Sequence, residues 1–246
     1  MIRLALSIAM IIVAAPALAE EVPSPDGKLI AKIVQTNGDW RRIDIVDAKT
    51  GAIREKLEGA AYTRAAWAPD GSGVWYSRMP PLPSGFPTGA PTTPPRGFHE
   101  VDFHKLGAPQ TDDELVYFTD RFNMFHTAEI TADGRWLVVT SSLNHTPKHE
   151  IILIRQGQAP APWKLIRDLK NAWWFAGAIG DQFYFVTDLD APRGRLVAID
   201  INATRFAVRE VVPQGDDTLT SAIVNRSGIA LTYANSTKTV PLETAQ

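Results

Sequence analysis

The sequence of 246 residues contains no cysteine, and this absence excludes disulfide bonds, thiolate metal ligands and a cysteine nucleophile. It also has no excess of basic residues, because 25 Lys and Arg stand against 27 Asp and Glu, for a formal net charge of −2. A nucleic acid is therefore not expected as a partner. No stretch repeats hydrophobic residues with a helical period over about three turns, so the sequence predicts an all-β fold.

A short apolar run at the N-terminus has the features of a targeting signal. Residues 1–3 (Met-Ile-Arg) supply a positive charge, residues 4–15 are almost wholly apolar, and residues 17–19 (Ala-Leu-Ala) match the small-x-small cleavage pattern. The run is short for a membrane span, and Pro16 favours cleavage over the alternative of an uncleaved anchor. We therefore interpret 1–19 as a cleaved signal peptide. We expect a secreted or periplasmic protein with no membrane association after cleavage.

What the sequence does contain is a motif that recurs. It occurs as SPDGKLIAKIV at 24–34, as APDGSGVWYSR at 68–78 and as TADGRWLVVTS at 131–141. Each copy combines Asp-Gly with a run of β-branched and aromatic residues. Glycine tolerates the positive φ of a tight turn, and aspartate is favourable beside it, so each copy predicts a turn between two β-strands.

The spacing of the copies indicates the size of the repeating unit. Asp26 and Asp70 are 44 residues apart, and the longer interval to Asp133 contains a proline-rich insertion at 80–97, which predicts an exposed loop. Without the insertion the unit has about 45 residues, which is the size of one four-stranded propeller blade. Weaker copies of the motif follow at 179–185 and 224–233.

These copies predict that residues 20–246 form one domain, a partial β-propeller of about four to five four-stranded blades. The tail 235–246 has few strand signals after Val240, which favours disorder there. An incomplete ring leaves edge strands unpaired, and this favours edge-to-edge self-association. A smaller closed ring and an open arc are both compatible with the sequence.

Four stretches are more specific than the Asp-Gly turn itself. They are Gly38-Asp39-Trp40, Ala66-Trp67-Ala68-Pro69-Asp70-Gly71, His104-Lys105-Leu106-Gly107-Ala108-Pro109-Gln110 and Asp188-Leu189-Asp190-Ala191-Pro192-Arg193-Gly194-Arg195-Leu196. In this order they make residues 24–235 resemble the propeller domain of the prolyl oligopeptidase family. The resemblance implies a seven-bladed propeller that covers an α/β-hydrolase domain, whose Ser-Asp-His triad cleaves short peptides after proline. The propeller of such an enzyme admits oligopeptides and excludes folded proteins.

The sequence departs from this family in its catalytic half. It contains no Gly-x-Ser-x-Gly nucleophile elbow, and the nearest strings, at 71–73 and 83–85, belong to predicted turns. The hydrolase domain, the family's N-terminal segment, the first blade and the last two blades have no counterpart. We therefore expect no catalysis by this chain alone, although the family is one of serine-type endopeptidases. We predict no catalytic residue, no metal site and no cofactor.

The resemblance assigns three side chains to the substrate side of an intact enzyme. Tyr62 aligns with an aromatic residue that touches the peptide, and Phe125 aligns with an apolar pocket position. His145 aligns with another pocket position, where the family residue is apolar. We interpret His145 and His149, which flank Pro147, as surface histidines rather than metal ligands, because proline disfavours the helix that an i, i+4 metal pair needs.

Two kinds of conspicuous residues are assigned to structure. The aromatic runs 173–175 (Trp-Trp-Phe) and 122–125 (Phe-Asn-Met-Phe) can form a peptide-binding surface, but core packing between blades is the better interpretation for both. A glycosidase needs two carboxylates fixed across a cleft, whereas the acidic residues at 112–114, 188 with 190, and 216–217 fall in predicted turns. We expect solvated turn residues there.

The sequence thus leads to one main hypothesis and two alternatives. The main hypothesis is an exported, substrate-gating propeller without catalysis of its own. The first alternative is a free-standing propeller that binds peptides or another protein. The second is one half of a peptidase that is completed by a separately encoded hydrolase domain. The partners to consider are therefore an oligopeptide and a hydrolase domain in trans.

Overall fold

A computed structural model of the chain describes residues 21–79, 98–159 and 161–242. Within these ranges all regular secondary structure is β-strand, apart from one 3₁₀ turn at Gln110–Asp112. The predicted all-β fold is confirmed. The described part of the chain holds no helix with the length and hydrophobicity needed to cross a membrane.

The strands form antiparallel sheets that follow one another along the chain, and each sheet is called a blade here. Blades 1 and 2 are joined into one eight-stranded sheet, because Ala60 pairs with Arg78. Blade 1 consists of β1 (Glu21–Pro23), β2 (Leu29–Gln35), β3 (Trp40–Asp47) and β4 (Ile53–Ala61). Blade 2 consists of β5 (Ala66–Trp67), β6 (Gly73–Arg78), β7 (Glu100–Lys105) and β8 (Glu114–Phe118).

The remaining blades are separate sheets, two with four strands and one with three. Blade 3 consists of β9 (Met124–Ile130), β10 (Trp136–Leu143), β11 (His149–Arg155) and β12 (Trp163–Ile166). Blade 4 consists of β13 (Trp173–Ile179), β14 (Gln182–Thr187), β15 (Arg195–Asp200) and β16 (Arg209–Val212). Blade 5 consists of β17 (Leu219–Asn225), β18 (Gly228–Tyr233) and β19 (Thr237–Val240). The predicted partial propeller of four to five blades is therefore confirmed.

Part of the predicted tail is structured. The sequence favours disorder over the tail 235–246, but β19 lies within this tail and pairs with β18. Its Thr-Lys-Thr-Val sequence has β-branched residues at three of four positions, which suits a strand. The predicted signal peptide 1–19 and the proline-rich insertion 80–97 lie outside the described residues and stay predictions.

The Asp-Gly turns form as the motif predicts. Gly27, Gly71 and Gly134 have φ values of 71°, 72° and 70°. In each turn the aspartate carboxylate accepts a backbone N–H two residues later, at 3.0 Å for Asp26, 2.9 Å for Asp70 and 3.1 Å for Asp133. The turn is thus stabilised by its own local hydrogen bonds, which is why the motif can be recognised without knowledge of the fold.

The core lies between the blades. Side chains alternate along each strand, so Val138 packs in the cluster shared with blade 4 and Val139 in the cluster shared with blade 2. Because both faces of these sheets are buried, their strands are continuous apolar runs such as Ile151–Ile154. Trp173 is 3% exposed in the cluster between blades 3 and 4, which confirms its predicted core role. The same prediction is wrong for Phe122, which is 57% exposed. Burial of each aliphatic or aromatic side chain of the core is worth about 1.5–3 kcal/mol.

The two ends of the blades differ in the loops they hold. The Asp-Gly turns, such as 68–72 and 131–135, join the first and second strands of a blade at one end, called the hinge end. Chain reversal in an antiparallel sheet puts the next loop at the opposite end. The blade-to-blade connections at 62–65 and 119–123 and the β10–β11 loop at 144–148 therefore lie together at this second end, called the crossover end.

Candidate functional site

The three side chains that were predicted to face a substrate are in mutual contact at the crossover end. The ring of His145 stacks on Phe125, with centroids 3.6 Å apart and an interplanar angle of 30°. Tyr62 lies 4.1 Å from His145 and 5.0 Å from Phe125, measured between ring centroids. We call these three residues the ring cluster. Their contact is observed, whereas their role toward a substrate stays a prediction.

Two loops and one strand position the ring cluster. Tyr62 follows β4 in the connection from blade 1 to blade 2, Phe125 is the second residue of β9, and His145 follows β10. Phe125 is 9% exposed and forms the base of the cluster. Tyr62 is half-buried, and His145 packs one ring face on Phe125 while much of its remaining surface is open to solvent, so these two rings form its surface.

The backbone at this end is strained. Tyr62 has a φ of 47°, Asn144 of 51°, His145 of 56° and Asn123 of 59°. The β-carbon of an L-residue makes such values unfavourable, most of all for a bulky aromatic side chain. The Asn144 N–H donates to the Asn123 carbonyl at 3.0 Å, which joins two of these loops. Strained conformations of this kind concentrate at sites where geometry is held for a function.

A buried layer of histidines supports the cluster from below. The Nδ1 atom of His99 accepts the backbone N–H of His126 at 2.9 Å, so its Nε2 atom carries the proton and donates to the Ala61 carbonyl at 2.8 Å. Burial lowers the pKa of His99 to about 4 and that of His126 to about 3. Both rings are therefore neutral near pH 7. Sequence reasoning missed this layer, because an isolated histidine before or within a strand gives no signal of burial.

Charged groups at the surface of the cluster are few. The Tyr62 hydroxyl donates to the Asp39 carboxylate at 3.3 Å. Partial burial raises the pKa of Tyr62, and Asp39 raises it further. Partial burial also lowers the pKa of His145, while Asp39 acts in the opposite direction. The cluster thus presents ring faces, one phenol and one carboxylate to a ligand.

This arrangement favours binding over chemistry. The hydroxyl of Ser141 lies 2.7 Å from Nδ1 of His126, but both residues are 0% exposed, so a substrate cannot reach them. In the portions of the chain that the structure describes, no group of three or more His, Asp and Glu side chains is placed to hold a metal ion. Aromatic faces bind apolar groups and proline rings without any such chemistry.

The prediction of surface histidines is wrong for His149. This residue begins β11, is 3% exposed, and accepts the backbone N–H of Trp173 on its Nδ1 atom at 2.9 Å. Burial lowers its pKa to about 4. His149 therefore joins blade 3 to blade 4, and His145 is the surface histidine of the two.

The motif at 104–110 contributes to a polar network between blades 1 and 2. The Nδ1 atom of His104 lies 2.6 Å from the Asp113 carboxylate, and its Nε2 atom lies 2.7 Å from Glu55 of blade 1. The Tyr76 hydroxyl donates to the second oxygen of Asp113 at 2.7 Å. The side chain of Asp113 is 1% exposed, so the prediction of solvated residues at 112–114 is wrong for this carboxylate.

Sequential antiparallel blades of three or four strands, packed face to face with a ring cluster at one end, define a partial β-propeller with a candidate binding site. A sequence model of the prolyl oligopeptidase N-terminal β-propeller domain matches residues 15–240. The chain belongs to this family.

Curated relatives of the chain are whole peptidases. The prolyl endopeptidase of Elizabethkingia meningoseptica is 33% identical over 191 residues, which cover 71% of this chain and 24% of the relative. Prolyl oligopeptidase A of Galerina marginata is 26% identical over 205 residues, which cover 78% of this chain and 27% of the relative. The chain thus spans about a quarter of the length of the curated relatives it matches.

Solved structures agree on the fold. A prolyl endopeptidase structure superposes with a TM-score of 0.75 at 29% identity, covering 91% of this chain and 32% of that chain. Prolyl oligopeptidase B from Galerina marginata, bound to a 35mer substrate, superposes with a TM-score of 0.76 at 19% identity, covering 87% of this chain and 32% of that chain. At this identity the second likeness concerns the fold alone.

Proposed function

We propose that this chain is the substrate-gating propeller of a prolyl oligopeptidase-like serine-type peptidase and has no catalysis of its own. In this role the ring cluster binds an oligopeptide that contains proline, and the peptide bond is cleaved by a hydrolase domain. The observation that carries the proposal is the convergence of Tyr62, Phe125 and His145, which come from three separate loops and strands.

Physical chemistry supports a peptide as the ligand. Aromatic rings provide a large contact area at a low cost in conformational entropy, and proline-rich segments are already extended before they bind. Asp39 and the Tyr62 hydroxyl lie at the edge of the apolar surface, where they can accept the N–H groups of a peptide. The absence of Gly-x-Ser-x-Gly from the sequence supports the assignment of catalysis to another domain.

The direct test is a binding titration with purified protein. A fluorescein-labelled hexapeptide that contains Gly-Pro is titrated by fluorescence anisotropy against the parent chain and against Tyr62→Gly, which removes the ring and suits the positive φ. We expect measurable binding by the parent chain and a loss of about tenfold or more in the variant. Trp163→Ala is the matched control, because Trp163 is an exposed ring on the outer strand of blade 3.

Two outcomes of this experiment count against the proposal. One is the absence of saturable binding by the parent chain, and the other is equal loss in Tyr62→Gly and Trp163→Ala. Catalysis is tested in parallel with a chromogenic Gly-Pro substrate. Turnover that is retained after repurification, with contaminating proteases inhibited, contradicts the assignment of catalysis to a separate domain.

A second candidate function is a half-enzyme completed by a separately encoded hydrolase domain. One observation favours it: Phe98, Phe118 and Phe122 form an exposed aromatic patch at the crossover end, with centroid distances of 5.7 Å and 6.4 Å from Phe98. Exposed patches of this kind are typical of protein contacts. The coding sequence next to this one is inspected for Gly-x-Ser-x-Gly, and the two products are assayed together. Activity that requires both chains supports this function.

We also propose export. The support is the N-terminal sequence, with its charged start, apolar run and Ala-Leu-Ala box. Mass spectrometry of the protein expressed in a bacterial host gives the test. A mature N-terminus at Glu20 in the extracytoplasmic fraction is expected, and a retained Met1 in the cytosol contradicts export.

A further inference from the structure

We propose that protonation of His145 opens the ring cluster and weakens its hold on a ligand, so that the site binds at neutral pH and releases in acid. This inference rests on the proposed peptide-binding function and concerns the regulation of the same site. It arises from the position of His145, an ionisable ring that is stacked on Phe125 at the surface of the ring cluster.

The geometry makes the charge of this ring decisive. His145 stacks on Phe125 at 3.6 Å, and Phe125 is itself 9% exposed. A neutral imidazole packs on such a ring without loss of the hydration that a charge requires. An imidazolium pressed against Phe125 and Tyr62 loses hydration on one face, and that loss favours a conformation in which the ring swings into water.

The ring faces of Phe125 and Tyr62 attract a cation by about 0.5–1 kcal/mol at an exposed site, which opposes this loss, and the charged groups that face His145 do not remove it. Asp39, on the β2–β3 loop, favours the protonated ring, but partial burial has the larger effect and lowers the pKa of His145 below 6.5. The positive charge of Arg41 acts on Tyr62 and opposes the rise in the pKa of that phenol. His99, beneath the cluster, has a pKa lowered to about 4 and adds no charge at pH 6.

The backbone supplies a reason for the loop to move. Asn144 and His145 are consecutive residues with φ of 51° and 56°, and such a pair is unfavourable outside glycine. The stack of His145 on Phe125 helps to hold this conformation. When the stack is lost, the loop can relax to ordinary φ values, so a single proton changes the shape of the cluster surface.

The sign of the effect follows from linkage. Because the pKa of His145 is lowered in the packed cluster, the packed form binds fewer protons than the open form. The stabilisation of the packed form is fully present above the ordinary histidine pKa of 6.5. It is lost as the pH falls through the lowered pKa of His145. Ligand binding to the packed form declines over the same range.

The test compares three proteins between pH 8 and pH 5.5 with the labelled Gly-Pro hexapeptide. We expect the Kd of the parent chain to rise about fivefold over this range, and that of His145→Phe to change less than twofold. Trp163→Ala is expected to keep the pH dependence of the parent chain. Asp102, which pairs with Arg78 within blade 2, is unchanged in all three proteins, so it cannot account for a difference between them.

A second readout needs no peptide. In NMR spectra of the free parent chain, the ring signals of Phe125 and Tyr62 are expected to shift with the same midpoint as the imidazole of His145. Ring signals that stay constant through this titration overturn the inference, and so does an equal pH dependence in the parent chain and His145→Phe. If no protein binds the peptide at any pH, the proposed function fails, and the ring titration still tests whether the charge of His145 is coupled to the cluster.

Discussion

The hinge end and the crossover end of the blades solve the same problem of chain reversal with different residues. At the hinge end the positive φ values belong to glycines, among them Gly27, Gly71 and Gly134. At the crossover end they belong to larger residues as well. All five described non-glycine residues with positive φ lie in its loops: Tyr62, Asn123, Asn144, His145 and Asp190.

This difference separates structure from candidate function. A glycine turn with an aspartate that accepts its own backbone N–H carries little strain, so it only has to reverse the chain. A tyrosine or histidine at positive φ is strained, and its side chain is then held in a direction that an ordinary loop does not give. The crossover end is therefore where the fold holds side chains in fixed directions, and the ring cluster lies there.

Among the changes that distinguish the two ends, a fall in pH is expected to have the largest effect on stability. Burial lowers the pKa values of His99, His126 and His149 to about 4, 3 and 4. Each histidine stabilises the fold above its ordinary pKa of 6.5, and this contribution is lost as the pH falls through the lowered value, by at most about 1.4 kcal/mol per pH unit. We expect the free energy of unfolding in urea to fall by several kcal/mol between pH 7 and pH 4.

The hinge end responds differently to acid. The pKa of Asp26 is lowered to about 2 by its hydrogen bonds with Lys28, so this carboxylate keeps its charge at pH 4. Hydrogen exchange, corrected for its intrinsic pH dependence, is therefore expected to show loss of amide protection at His126 before Leu137, which follows a hinge turn. Stability that is constant from pH 7 to pH 4, or simultaneous loss at both positions, contradicts the assignment of buried neutral histidines to the crossover end.

A smaller effect is expected from Gly134→Ala at the hinge end. A β-carbon at this position, where φ is 70°, clashes with Cγ of Pro69. Backbone strain and overpacking together are expected to cost about 2–4 kcal/mol in urea unfolding. Gly71→Ala is the matched control, since φ is 72° there but nothing lies within 4 Å, so only the strain of about 1–2 kcal/mol remains. Equal losses in both variants contradict a contact between the turns of blades 2 and 3.

The smallest of these stability effects concerns the network between blades 1 and 2. Asp113→Asn leaves His104 with a weaker partner in a buried site and is expected to cost about 1–3 kcal/mol. Asp112→Asn, at the adjacent exposed position, is expected to stay within about 0.5 kcal/mol of the parent chain. Thermal unfolding of the two variants makes the comparison. If Asp113→Asn unfolds at the same temperature as the parent chain, the network is not a stabilising contact between these blades.

Local features of the fold could be predicted, and contacts between distant residues could not. The Asp-Gly turns depend on hydrogen bonds within five residues. The apolar run at 151–154 indicates a strand that is buried on both faces of a sheet. The three members of the ring cluster were named by resemblance, one position at a time. Their contact depends on how blades 1, 2 and 3 pack. Sequence reasoning missed the buried state of His149 and Asp113, because burial of a polar residue depends on partners from other strands.

The repeat, the strand-forming runs, the turns and the family resemblance can all be recognised in the amino-acid sequence, because each depends on the period and chemistry of neighbouring residues. The shared surface of Tyr62, Phe125 and His145, and the buried neutral histidines beneath it, emerge only when the blades are packed. The physical reason is that ring stacking and desolvation act between groups that are close in space. Only the packing of blade against blade brings residues this far apart in the chain into contact.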